Sequence, residues 1–246
     1  MSSSTKQYTL FDHLLELRYR LLKAVVSVLV VFCSMFYFTN DIYEYVSQPL
    51  LATMPEGGQM IATDVASSFF TPFKLTIVLA IFISMPYILF QIWSFIAPGL
   101  YRSEKRLMRP IMLGSSILFY GGISFAYYVV FPIIFAFFTS AAPKGVNIAT
   151  DISSYLDFVL KLFFAFGIVF EIPIVIILLC WTGFTTPNSL REKRPYVVVG
   201  SFVIGMLLTP PDIISQTLLA IPMFLLFEVG VFISSIYYKE SDDGQS

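Results

Sequence analysis

The stretch that decides the fold is residues 162–181, LFFAFGIVFEIPIVIILLCW, in which Glu171 is the one charged residue. Twenty residues of α-helix are about 30 Å long, which matches the hydrocarbon core of a bilayer. A charged side chain at that depth costs about 2.5–3.5 kcal/mol on insertion scales, so such residues tend to mark a polar path or site. Two interpretations stay open here: Glu171 belongs to a functional site, or it is a protonated carboxyl that bonds between helices for packing alone.

The composition of the whole chain agrees with a membrane setting. Hydrophobic residues make up 57% of the 246 residues, charged residues make up 13%, and the mean hydropathy is +0.80. A water-soluble domain of this size has no core large enough for so much apolar surface, whereas lipid accepts it on the outside. Charged residues, Glu16 among them, precede the first long apolar run, so no cleavable signal peptide is expected.

Apolar, charge-poor runs predict an all-α integral membrane protein with six transmembrane helices. The predicted spans are about residues 21–38, 70–96, 111–138, 162–181, 196–209 and 213–238. An amphipathic segment, residues 1–20, is expected at the interface before this six-helix domain of residues 21–238, and a polar tail of residues 239–246 is expected after it. The fifth and sixth helices are expected to be short. The fifth, with 14 residues, would reach only about 21 Å, which calls for a thinned bilayer or for shielding by neighbours.

The distribution of charge predicts the orientation of these spans. Most lysines and arginines lie in residues 1–23, 102–109 and 191–194, whereas the loops on the other side, about 39–69 and 139–155, are acidic. By the positive-inside rule, the basic segments and both termini are cytoplasmic.

Two acidic residues stand out on the predicted cytoplasmic side. Glu16 shares a helix face with Arg20 at a spacing of four, so it is either half of an ordinary surface ion pair or part of an acidic contact surface. Glu104 lies among basic residues, including Arg102 and Lys105. It either balances their charge or helps to bind a cationic peptide, because carboxylates bind arginine in bidentate fashion.

No catalytic, metal or cofactor pattern appears in the sequence. GxSxG, HExxH and Walker motifs are missing, and His13 is the one histidine. Cys33 and Cys180 lie in apolar spans without a CxxC motif, which favours a packing role. The sequence therefore predicts neither an enzyme nor a metal site, a cofactor or a nucleic-acid partner.

Four motifs resemble the TatC family, whose members are the multispanning subunits of the twin-arginine (Tat) protein translocase. They are HLLELRYR at 13–20, SFIAPGLY at 94–101 with Glu104 following, FEIP at 170–173, and LTPPD at 208–212 with Ser215 and Gln216 following. The resemblance covers about residues 8–238 and includes the predicted order of six spans.

The resemblance implies a core receptor in the bacterial inner membrane that binds the twin-arginine signal peptides of folded proteins. It implies export driven by the proton-motive force, with the single-span partners TatB and TatA, in a homo-oligomeric complex within the lipid bilayer. The family's signal-contact positions correspond to Glu16 and Glu104, with supporting positions at Arg18, Arg20, Pro49 and Phe95. Its intramembrane docking positions correspond to Glu171 and Gln216, and its outer-side functional position to Asp212.

Two other classes of function remain open from the residues. A proton-coupled secondary transporter would use Glu171 as its proton or substrate site, although we find no internal repeat of the kind such transporters contain. A structural assembly hub would need no substrate at all.

Overall fold

The computed structural model describes residues 10–51, 60–64, 66–96, 108–140, 150–208 and 213–243, and these residues are almost entirely helical. The α-helices of these ranges are α1 (Leu10–Met35), α2 (Thr39–Leu51), α3 (Ser67–Ile96), α4 (Met108–Phe125), α5 (Phe131–Ser140), α6 (Ile152–Val169), α7 (Ile172–Trp181), α8 (Pro187–Glu192), α9 (Arg194–Leu208) and α10 (Ile213–Asp243). A helix satisfies its own backbone hydrogen bonds, which is what an apolar chain needs in lipid. The predicted all-α class is confirmed.

Five helical runs of the described residues are long and apolar enough to cross a membrane. They are Leu14–Ser47, Phe69–Phe95, Pro110–Phe138, Ile152–Trp181 and Gln216–Ile236. The remaining predicted span is α9, which has 15 residues and a length of only about 22 Å. The count of six crossings therefore stays a prediction.

The two last helices differ in length. α9 is short, as predicted, but α10 has 31 residues and is not. It continues beyond Ile236 through the first residues of the polar tail to Asp243. Residues such as Lys239 and Glu240 favour helix, so the end of the apolar run does not end the helix.

The first predicted span and its flanks form more helix than expected. α1 begins at Leu10 and runs to Met35 without a break at residue 20, so the amphipathic segment and the first span are one helix. A 3₁₀ turn at Phe36–Phe38 follows, and α2 then occupies part of the region that was expected to be a loop.

The fourth predicted span begins ten residues early and is interrupted. α6 begins at Ile152, where Asp151 caps the helix by accepting a hydrogen bond from the Ser154 N–H. The helix ends at Val169, and α7 begins at Ile172. Pro173 explains this break, because proline has no N–H to donate and its ring clashes with the carbonyl four residues earlier.

The third predicted span contains a wider turn. A π-helical turn, Ala126–Val130, separates α4 from α5 and ends two residues before Pro132. The residue four positions before this proline is Tyr128, inside the turn. The wider turn therefore falls where an α-helix would place a carbonyl against the proline ring.

The described residues form two compact units, and the first lies within residues 1–39 and 76–116. It contains α1, most of α3 and the start of α4. The hydrogen bonds between its described helical residues include Trp93 Nε1 donating to Ser115 Oγ over 3.0 Å and Thr76 Oγ1 donating to Thr39 Oγ1 over 3.2 Å.

The second unit lies within residues 40–75 and 117–246. Buried phenylalanines dominate its core, among them Phe119, Phe131 and Phe166. On the side that the charge pattern assigns to the exterior, the two-residue strands β1 (Met60–Ile61) and β2 (Thr150–Asp151) pair in parallel.

Candidate functional site

Glu16 and Arg20 form an ion pair on α1. Arg20 donates from Nε and Nη2 to the same carboxylate oxygen, Glu16 Oε1, over 2.9 Å and 2.6 Å. Its Nη1 also makes a long contact of 3.4 Å with Oε1 of Gln91, a buried residue of α3. The Glu16 side chain remains 32% exposed. The structure thus holds one guanidinium on this carboxylate and leaves part of the carboxylate open.

The other predicted signal-contact residues are described only in part. Phe95 is half-buried on α3, one helical turn after Gln91 and therefore on the same face. Arg18 is exposed on α1. Glu104 lies outside the described residues, as does the side chain of Pro49, although Pro49 itself belongs to α2.

The segment that carries Glu104 joins two helices whose ends are tied together. α3 ends at Ile96 and α4 begins at Met108, and the buried bond from Trp93 to Ser115 joins these two helices close to the segment. The structure therefore fixes both ends of the connection that follows Gln91 and Phe95.

Glu171 lies at the break between α6 and α7, not within a continuous helix. Its N–H donates to the carbonyl of Ile168 over 3.0 Å, and its own carbonyl accepts from the Val175 N–H over 3.0 Å. The backbone stays in the right-handed helical region at Glu171, so the interruption is a kink rather than a loop. The side chain is buried, with 9% exposed.

Two glycines permit the close packing that surrounds this kink. On α4, a Cβ added at Gly122 would lie 2.4 Å from the carbonyl oxygen of Phe166. On α10, a Cβ added at Gly230 would lie 2.9 Å from the Cα of Pro173. Real Cβ atoms do not approach backbone so closely, so α4 and α10 reach the kink only because these residues have no side chain.

Gln216 and Glu171 lie at different levels. Gln216 is half-buried near the start of α10, where its backbone packs against Gly205 of α9. The kink at Glu171 meets α10 near Gly230, fourteen residues and about 21 Å farther along that helix. The structure does not bring the two predicted docking residues into one site. Asp212 lies outside the described residues.

The ion pair between Arg194 and Glu228 was missed by the sequence analysis. Arg194, at the start of α9, binds both carboxylate oxygens of Glu228 on α10, Nε to Oε1 over 2.6 Å and Nη2 to Oε2 over 2.5 Å. Glu228 is a lone acid in the last apolar run, and an acid in such a position needs a partner. The position of Glu228 therefore indicated that it has a basic partner, but residue spacing alone did not identify Arg194 as that partner.

The described residues offer no group of three or more His, Cys, Asp or Glu side chains that could hold a metal ion. Cys33 is exposed and Cys180 is buried, and neither forms a disulfide. Apolar helices of membrane-crossing length, a partly open carboxylate–guanidinium pair and a carboxyl at a helix kink define a multispanning helical membrane protein.

Comparisons with known proteins identify the family. Residues 12–222 match the family model described as Sec-independent protein translocase protein (TatC). The chain is 60% identical over 243 residues to the Sec-independent protein translocase protein TatC of Haemophilus influenzae, covering 99% of this chain and 95% of the relative. It is 59% identical over 228 residues to the TatC of Escherichia coli K12, covering 93% and 88%.

Solved structures give the same answer. The chain resembles a crystal structure described as the twin arginine translocase receptor TatC, with a TM-score of 0.81 and 38% identity, covering 91% of this chain and 98% of the other. A second crystal structure of that receptor, in DDM, gives a TM-score of 0.83 at 38% identity, covering 90% and 99%. The chain belongs to the TatC family. It is a component of a Sec-independent protein translocase rather than an enzyme. Membership of this family replaces the alternative interpretation that the chain as a whole is a secondary transporter.

Proposed function

We propose that this chain is the receptor subunit that binds twin-arginine signal peptides of folded proteins at the inner face of the bacterial inner membrane. The observation that carries the proposal is the geometry of Glu16, whose carboxylate already holds one guanidinium, that of Arg20, while 32% of its side chain stays exposed. The similarity to solved twin-arginine translocase receptors supports it.

The chemistry of an arginine pair suits such a site. A carboxylate offers about four acceptor positions, and Arg20 uses only Oε1, so Glu16 retains capacity for a guanidinium of the ligand. Arginine presents a planar fork of donors and keeps its charge, whereas lysine offers a single ammonium group. Glu104, on the segment after Phe95, would supply the second carboxylate, and Arg18 and Pro49 would support the site.

The membrane setting follows from the charge pattern. We place both termini and the segments 102–109 and 191–194 in the cytoplasm, because most lysines and arginines lie there. In a variant without native cysteines, a cysteine at position 57 should react with a membrane-impermeant thiol reagent in intact cells, and one at position 189 should not. The opposite labelling would overturn the orientation and, with it, the position of the receptor site.

The partners are those of the family's translocation cycle. We propose that TatB and TatA, each with a single span, dock on the intramembrane surface near Glu171 and near Gln216. Asp212 would act on the outer side, and the proton-motive force would drive export through a complex that holds several copies of the chain. A buried carboxyl at a kink supports docking, because a carboxyl offers about four acceptor positions and can take a polar group of a partner helix beside the contacts that it already makes.

The decisive experiment varies the ligand. A signal peptide with a photoreactive group beside its arginine pair is irradiated with membranes that contain the chain, next to the same peptide with two lysines. The arginine peptide should crosslink near Glu16, and the lysine peptide should bind roughly tenfold more weakly or worse, since it loses charge-assisted hydrogen bonds. Equal crosslinking by both peptides would refute an arginine-specific site.

A further inference from the structure

A groove lies between α1 and α3 in the first unit. Its volume is about 400 Å³, and it is lined by Tyr19, Leu22, Lys23, Val26, Ser27 and Tyr87. This volume falls within the range of about 300–1,000 Å³ that is usual for sites of small molecules. The lining is mostly apolar and carries one cation.

The groove faces the surroundings of the protein. In the helical run Leu14–Ser47, which contains most of α1, the most apolar stretch of 18 residues has no buried residue. Tyr19, Leu22 and Val26 are each more than 50% exposed. From Tyr19 to Ser27, α1 rises about 12 Å, which is most of the roughly 15 Å occupied by one leaflet's hydrocarbon. In a membrane helix, lipid chains are the default cover for such a surface.

Lys23 makes the groove selective. Its ammonium lies 4.2 Å from the centre of the Tyr19 ring, at the end of the groove that the charge pattern places toward the cytoplasm. Within the part of the chain that the structure describes, no carboxylate lies within 4.0 Å of this ammonium, whereas the nearby Arg20 is neutralised by Glu16. The lining itself contains no acid. An apolar channel with a cation at its interfacial end, and no carboxylate of the described residues paired with that cation, complements an amphiphile with an anionic head.

We propose that this groove binds one anionic phospholipid of the inner leaflet, with its phosphate at the Lys23 ammonium and an acyl chain along Leu22 and Val26. Basic pockets between membrane helices on the cytoplasmic side are known to hold acidic headgroups. The Ser27 hydroxyl donates to the carbonyl of Ala24, so it does not compete for the headgroup. Glu16 is not among the residues that line the groove.

The test uses the full chain in bilayer discs of phosphatidylcholine. A trace of phosphatidylglycerol or of phosphatidylcholine with a diazirine in the acyl chain is added, and crosslinks are mapped by mass spectrometry. We expect phosphatidylglycerol to label residues 19–27 several-fold more than phosphatidylcholine does. Lys23→Gln should remove this excess, and the control Lys193→Gln, which changes an exposed lysine outside the groove, should keep it.

A second variant separates the groove from the cation. Leu22→Trp fills the groove at an exposed position and should reduce labelling of residues 19–27 by both lipids. Equal labelling by the two lipids in the unchanged protein, or an excess that survives Lys23→Gln, would overturn the proposal. If a stoichiometric twin-arginine peptide displaces the lipid label from the groove, a peptide is the occupant and the proposal also fails.

Discussion

Gly122 of α4 lies against the carbonyl oxygen of Phe166 of α6 so closely that a Cβ at residue 122 would be 2.4 Å from that oxygen. The neighbouring Gly121 has room, since its Cβ would lie 3.9 Å from the ring of Phe170. Two adjacent glycines of one helix therefore differ in what a methyl group would do. The contact at Gly122 keeps α4 beside the turn that leads into Glu171.

Gly122→Ala should destabilise the protein by about 1–3 kcal/mol, because the added methyl forces backbone apart. Gly121→Ala should be neutral or stabilising, because alanine is the better helix former. Thermal unfolding in detergent, followed by circular dichroism, compares the two variants. Equal melting temperatures would show that α4 and α6 do not pack as closely as described.

Asp151 should make stability depend on acid pH. Its Oδ1 accepts from the Thr63 N–H and hydroxyl, and its Oδ2 accepts from the N–H and hydroxyl of Ser154. The bond from the Ser154 backbone, together with those from Thr63 and the Ser154 hydroxyl, holds the pKa of this carboxyl well below its usual value. The stabilisation is complete above the unfolded pKa of about 3.9 and is lost as pH falls below it toward the lower folded value.

Asp151→Asn should therefore melt at a lower temperature than the unchanged protein at pH 7, because an amide has one acceptor oxygen where the carboxylate has two. The difference should shrink as pH is lowered below about 4. Glu44→Gln, at an exposed acid of α2, is the control and should show no such trend. A constant difference across pH would mean that the charge of Asp151 is unimportant.

The ion pair of Arg194 with Glu228 should tie the start of α9 to α10. Arg194→Glu and Glu228→Arg should each lower the melting temperature, because each places two like charges where the paired atoms are 2.5–2.6 Å apart. The double exchange should recover part of the loss, since it restores opposite charges. Additive losses in the double variant would show that the two side chains do not interact.

We expect Glu171 to be a docking point for a partner helix, where a neutral side chain can replace the carboxyl, rather than a catalytic acid. Glu171→Gln should keep substantial export, Glu171→Ala should keep less because it removes a hydrogen-bonding group, and Glu171→Lys should keep least because it adds a charge within the membrane. Recovery of the single-span partner with the purified chain should fall in the same order, while signal-peptide binding should persist. If Gln is as damaging as Lys, ionisation is needed and proton coupling explains Glu171 better.

The sequence predicted the features that depend on long apolar runs. The all-α class and the approximate place of the five long apolar helical runs followed from hydropathy, because lipid imposes one requirement over many residues. Pro173 marks a place where a helix tends to kink, but the interruption at Phe170–Glu171 cannot be inferred from the proline alone, since many prolines stay within helices. Pro222 does so in α10.

The local contacts around the candidate sites could not be predicted. The spacing of Glu16 and Arg20 suggested their ion pair, but the contribution of Gln91 depends on how α1 and α3 pack. The separation of Gln216 from Glu171 likewise depends on where α10 meets the kink. Such contacts join residues that are far apart in the sequence, and neither periodicity nor charge pattern records them.

The measurement that tests the receptor account most directly is the affinity of a twin-arginine signal peptide for the purified chain and its Glu16→Gln and Glu104→Gln variants. Each variant should weaken binding roughly tenfold or more, since each loses charge-assisted hydrogen bonds. The double variant should bind the peptide only slightly more weakly than the single variant of lower affinity, because both acids hold one ligand. Glu192→Gln, at an exposed acid of α8, should bind normally. Unchanged affinity in both Glu16→Gln and Glu104→Gln would contradict the account.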